Sequence, residues 1–147
     1  MGMKQRIRTS ALSMINRRRL QNGVTSVMQK GQIPVYFIFT PDIVHFAPYC
    51  LSGVAPEFEP VIILNAVSTE DEEWLQEIHP EYLIVRLKTS LTGNRNSLLA
   101  HGAVLNDLFA ISEEAFCIQD PDCFITDVDF WSDVHLDFDK DMAGGPF

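Results

Sequence analysis

The 147-residue sequence is poor in cysteine, with only Cys50, Cys117 and Cys123. So few, and an odd number, exclude a disulfide framework. A reducing, cytoplasmic setting is the expectation, with the thiols as small buried hydrophobes. No apolar run approaches the roughly 20 residues that cross a bilayer, so no spanning helix is expected. The basic start has no uninterrupted apolar stretch, so no secretory leader is expected. Basic residues are scarce beyond position 33. Residues 1–33 carry seven Lys or Arg and no acid, residues 107–147 one base against eleven acids, and the formal net charge is -9. An acidic last third repels phosphate backbones, which excludes nucleic acid as a partner there. It suits a divalent cation, which takes hard oxygen ligands.

What is present is enough for one core. The chain is 46% hydrophobic, which excludes wholesale disorder, and its length predicts about one domain. Residues 3–29 read as a basic helix, with apolar positions at helical spacing and Gly31 as its stop. A helix packed on the domain is the first reading. Peripheral contact with a membrane surface, or with a partner, is the alternative. Residues 33–39 are a short apolar run of the buried parallel-strand kind. Residues 43–54 fit a helix interrupted by Pro48, and Pro56 to Pro60 a turn. Val61 to Leu64 reads as a second strand. Ser68 or Thr69 caps a helix whose first turn is acidic, which suits the positive helix end. Tyr82 to Leu87 is a third strand and residues 97–111 a helix. Ala115 to Ile118 is a fourth strand, with Cys123 to Thr126 as a short continuation.

Strands alternating with helices predict an α/β domain, a mostly parallel sheet flanked by helices. In such sheets ligands sit beyond the C-terminal strand ends. That rule selects Thr40-Pro41-Asp42, Asn65 to Ser68 and Asp120-Pro121-Asp122, and keeps the Gly93-Asn94 loop in view. Asp120 and Asp122 are the sharpest feature. Two residues apart in an extended segment, they share one side, with Pro121 limiting their freedom. Like charges that close need a cation or a shared proton. An ordinary D-P-D turn is the plain alternative. Asn65 offers a donor and an acceptor to a base edge or a ribose hydroxyl, or serves the next helix start. His101 and Gly102 open a helix, where free amides attract phosphate.

The run His101-Gly102-Ala103-Val104-Leu105-Asn106, the strand Phe116-Cys117-Ile118 and then Asp120-Pro121-Asp122 resemble glycosyltransferases of the GT-A fold, in particular the family-2-like group. Those proteins carry an H-G-x-x-L-N helix start shortly before an apolar strand ending in D-x-D. Residues 65–71 are similar to their D-x-x-S-x-D stretch, with Asn65 in place of the usual Asp. The resemblance spans residues 34–126. It implies a Rossmann-like nucleotide-diphospho-sugar transferase fold. It implies that Asp120 and Asp122 hold Mn²⁺ or Mg²⁺ on a nucleotide-diphosphate sugar, which Asp120 also contacts. Thr40 and Asn65 would line the base pocket, and His101 and Asn106 would lie near the nucleotide. Asn65 lacks the charge of the Asp it replaces.

The family also has an acceptor-binding half after the D-x-D, and only Cys123 to Phe147 follow here. The expectation is therefore a truncated or partial glycosyltransferase. Residues 1–32 would be its basic helix, 33–126 its nucleotide-sugar-binding domain, and 127–147 an acidic tail beginning the acceptor region. No residue is singled out as catalytic base among Asp127, Asp129, Asp133 and Asp137. The acceptor has no signature, and association into an oligomer is compatible with the reading. The alternative is a non-catalytic α/β nucleotide-binding or interaction domain. An aspartate-nucleophile phosphohydrolase is disfavoured, since only Ser132 and Lys140 follow Asp127 and Asp129 to serve it.

Overall fold

The computed structural model describes residues 3–93, 97–112, 114–127 and 129–138. Asn94, Asp139 and Asp141 lie outside them. The chain runs α1 (Met3–Met28), β1 (Ile33–Phe39), a short 3-10 turn (Val44–Phe46), α2 (Ala47–Cys50), β2 (Phe58–Leu64), α3 (Thr69–Ile78), β3 (Leu83–Arg86), α4 (His101–Ile111), β4 (Cys117–Gln119) and α5 (Phe130–Phe138). Every strand pairing is parallel, in the order β3-β2-β1-β4. This is the expected α/β class, a Rossmann-like sheet flanked by helices.

The continuous apolar character of β1 and β2 reflects burial on both faces. Tyr36, Ile38, Val61, Ile63 and Val85 meet Leu20, Val24 and Val27 of α1 and Val104 and Leu108 of α4. Val35, Phe37, Phe39, Ile62 and Leu64 point the other way, toward α2, Leu75 of α3 and Trp131 of α5. Each fully buried side chain of this kind contributes about 1.5–3 kcal/mol. The apolar side of α1 is thus covered by the sheet. Among the described residues no helix is long and apolar enough to cross a membrane.

Polar ties also fix α1. Asn16, 2% exposed, donates from Nδ2 to the Lys88 carbonyl (3.0 Å) and accepts the Lys88 amide at Oδ1 (2.7 Å). Arg17 Nε donates to buried Asp107 of α4 at 2.8 Å, and Ser13 donates to the same carboxylate. Gly23 gives α1 its close approach to β3: a Cβ there would stand 2.9 Å from Leu83 Cδ2.

Several boundaries differ from the sequence expectation. β2 begins at Phe58 rather than Val61 and so contains Pro60. Pro60 pairs with Val35 of β1, while pairing to β3 starts only at Val61. Pro34 likewise precedes the first β4 pair, at Val35. Each proline sits where its missing N–H costs the ladder nothing on the second side. Residues 43–54 form two short turns rather than one helix, and 123–126 are not a strand. Cys123 is exposed, against the expectation of buried thiols.

Candidate functional site

β1 is followed along one direction of the sheet by β2 and β3, whereas β4 joins its other side. The strand order therefore reverses between β1 and β4, and the crevice beyond their C-terminal ends is where such sheets bind ligands. Thr40-Pro41-Asp42 leaves β1 on one flank. Asp120-Pro121-Asp122 leaves β4 on the other.

The second loop is a turn, not the extended stretch expected. The Cys123 amide donates to the Asp120 carbonyl at 3.0 Å, with Pro121, buried, at the second position that its ring favours. Gln119 Nε2 donates to the Cys123 carbonyl at 2.8 Å and buttresses the turn. Asp120 and Asp122 are both exposed, and their carboxylates have no hydrogen-bond or ion-pair partner among the described residues. The Oε1 of Gln119, a residue 9% exposed, is a buried acceptor that also has no partner there.

On the β1 flank the Thr40 hydroxyl donates to the Asp42 carboxylate. That hydrogen bond first, then its own backbone amide and the charge of His45, hold the Asp42 carboxyl below its ordinary range. Asp42 stays ionised beside the crevice, and Thr40 is committed to it.

Asn65 follows β2 and is 1% exposed. Its Nδ2 donates to the Leu99 carbonyl and its Oδ1 accepts the Leu99 amide, both at 2.9 Å. Both functions expected to face a base edge are thus taken. What Asn65 does is hold the segment that leads into α4. This is why the helix begins at His101 and not at residue 97. Ala66, next in the chain, is left-handed (φ 62°), a strained conformation for a residue with a Cβ. Ser68 caps α3 as expected, accepting the Asp71 amide at 3.0 Å. His101 and Gly102 form the exposed first turn of α4, and a Cβ at Gly102 would meet nothing within 4 Å. Asn106 is exposed one turn further on, whereas its neighbour Asp107 is buried against α1.

Of the expected site residues, Thr40, Asn65, Asp120 and Asp122 follow C-terminal strand ends and His101 opens α4 at that same edge, whereas Asn106 lies within α4. Thr40 and the two aspartates flank the crevice directly. Asn65 and His101 stand on its β2 side. Sequence reading missed an aromatic cleft of about 390 Å³ lined by Phe46, Tyr49, Ser52 and Phe124. Phe124 comes two residues after Asp122, is 47% exposed, and meets Phe46 edge-on at 5.6 Å between centroids. The signal lay in Phe46 and Tyr49, three apart on one turn.

Among the described residues no group of three or more His, Cys, Asp or Glu is arranged to hold a metal ion. Asp120 and Asp122 each offer hard carboxylate oxygens, on a turn rather than on the extended stretch that would put them on one side. Such oxygens fit Mg²⁺ or Mn²⁺ when water and phosphate oxygens complete the shell.

No curated protein and no solved structure matches the chain significantly. The family model of the StrH glycosyltransferase N-terminal domain matches residues 13–144. Its span takes in the Ser13 and Asn16 ties of α1, the whole sheet, the D-P-D turn and α5. The chain belongs to the StrH glycosyltransferase N-terminal domain family.

Proposed function

We propose that this glycosyltransferase-related domain binds a nucleotide-diphosphate sugar at the β1/β4 crevice, in the GT-A manner, and does so with a divalent metal. The observation that carries the reading is the strand order. It sets Asp120 and Asp122, two exposed carboxylates without partners among the described residues, on a hydrogen-bonded turn beside the reversal point of a parallel sheet. The two carboxylates would hold Mn²⁺ or Mg²⁺, which when bound neutralises charge on the leaving diphosphate. Ionised Asp42 keeps Thr40 oriented on the facing flank. Asn65 acts at one remove, by positioning the α4 start that carries His101. The aromatic cleft after Asp122 offers apolar ring faces to the transferred sugar or its acceptor.

A non-catalytic nucleotide-binding domain remains the second reading. It is favoured by the engagement of Asn65 with Leu99, at the position where the resembling enzymes usually have Asp. Calorimetry with a nucleoside diphosphate and Mn²⁺ tests the shared site. Binding that requires Mn²⁺ and is lost in Asp120→Asn supports it, and turnover of a sugar nucleotide then separates enzyme from binder.

A further inference from the structure

At the sheet edge opposite β4, the chain beyond β3 forms a second cleft, of about 420 Å³. Its walls are basic: Arg19 of α1, Arg86 at the end of β3, and Lys88 two residues later. Residues i and i+2 of an extended chain share a side, which brings Arg86 and Lys88 to one wall. Thr69, Thr89 and Ser90 add hydroxyls. The concentration of positive charge is notable because the chain is acidic, with only 11 Lys and Arg against 20 Asp and Glu.

The wall is built rather than loose. Arg86 donates to the Glu72 carboxylate through Nε, to the Val67 carbonyl at 2.6 Å and to the Ser68 carbonyl at 2.8 Å. Arg19 Nη1 donates to the Arg86 carbonyl at 2.9 Å. Asn16 clamps the Lys88 backbone. Glu72 offsets the charge of Arg86, but neither Arg19 nor Lys88 meets a carboxylate among the described residues. Two uncompensated cations therefore face one cleft whose other polar groups include three hydroxyls.

We propose that this cleft binds the phosphate group of a phosphorylated small molecule without a metal ion. Lys88 and Arg19 supply the charge and the Thr89 hydroxyl supplies a neutral donor, beside Ser90, whose Oγ accepts the Thr92 amide at 3.1 Å. Neighbouring strands lie about 4.8 Å apart, so three steps from β3 to β4 separate this cleft from the D-P-D turn by roughly 14 Å. A phosphate here is distinct from a diphosphate held at the β1/β4 crevice.

The test is a titration of the full chain with inorganic phosphate in the presence of a chelator, followed by backbone amide shifts. Sodium chloride at matched ionic strength controls for screening. The expected result is a saturable shift at Lys88, Thr89 and Ser90. Affinity should fall about tenfold in Lys88→Gln and in Arg19→Gln, the loss of one charge-assisted hydrogen bond, and stay unchanged in Asp120→Asn. The ammonium of Lys88 has no partner among the described residues, so Lys88→Gln leaves folding intact and decides the matter even if Arg19→Gln is destabilised. The proposal is overturned if phosphate gives no saturable shift, if chloride reproduces it, or if Lys88→Gln binds as the parent does. Loss of binding in Asp120→Asn would also overturn it, by moving the phosphate to the crevice.

Discussion

Replacing Asn16 by alanine probes whether α1 is an integral layer of the domain or an appendage. Asn16 is almost fully buried and makes a paired contact with the Lys88 backbone, one bond of 3.0 Å and one of 2.7 Å. Alanine removes both partners and leaves an N–H and a carbonyl in a part-buried place. Each orphaned group costs about 1–3 kcal/mol. The two share one residue and one environment, so the expected loss is about 2–4 kcal/mol rather than the full sum. With a urea m-value of about 1–3 kcal/mol/M, the midpoint falls by roughly 1–2 M with an unchanged slope. The melting temperature falls by roughly 2–4 °C for each kcal/mol at this chain length. Asn16→Asp keeps an acceptor for the Lys88 amide but sets a buried carboxylate oxygen against the Lys88 carbonyl, so it should destabilise at least as much as alanine. Phosphate affinity at the basic cleft should weaken in both, because the Lys88 segment loses its clamp. A loss below about 0.5 kcal/mol, the size of an ordinary surface change, would refute the reasoning and make α1 peripheral.

Thr40→Val removes the hydroxyl that holds the Asp42 carboxyl low. The Asp42 titration followed by NMR should move up toward the ordinary carboxylate range, whereas an unmoved titration contradicts the assignment of cause. The sign for stability follows from the same depression. The parent's Thr40–Asp42 contact stabilises above the ordinary carboxylate range and is lost as pH falls through the folded-state value. Burial pushes the Cys50 and Cys117 thiols up to about 12, whereas Cys123 is exposed. A thiol reagent at neutral pH should therefore label one cysteine quickly in the folded chain and all three in denaturant; two fast thiols would contradict the raised pKa of half-buried Cys117.

The strands and the α3 cap were legible because they are local. The apolar runs of β1 and β2 carry that signal in their own residues, although Cys123 to Thr126, a similar run, is not a strand, and Ser68 needs nothing beyond the next three residues. Gly31, left-handed at φ 73° just after α1, is a stop of the same local kind. The strand order was not legible, since β1 carries no mark saying that β4 rather than β2 lies on a given side. Yet that order is what makes Thr40 and Asp120 neighbours across one crevice. Asn65 shows the same limit at a single residue. Its amide suits a ligand and a backbone equally well, and Leu99, 34 positions later, takes it. Asp107 and Asn16 look like surface residues on their helices and are buried only because α1 meets α4 and the Lys88 segment. The aromatic residues of the acidic tail gave no hint of direction, and the fold places Trp131 in the core, 4% exposed. The basic cleft is assembled from Arg19 and Lys88, which charge counting left in separate segments.

The central claim is that Asp120 and Asp122 form a metal-dependent diphosphate site at the β1/β4 crevice. Its most direct test is a calorimetric titration of a nucleoside diphosphate into the full chain with Mn²⁺ and again with a chelator, repeated for Asp120→Asn and Asp122→Asn. The account predicts saturable binding with Mn²⁺, weakened at least tenfold by the chelator and by either substitution, with melting temperatures unchanged because neither carboxylate has a partner among the described residues. Equal binding with and without metal, or binding untouched by both substitutions, would contradict it.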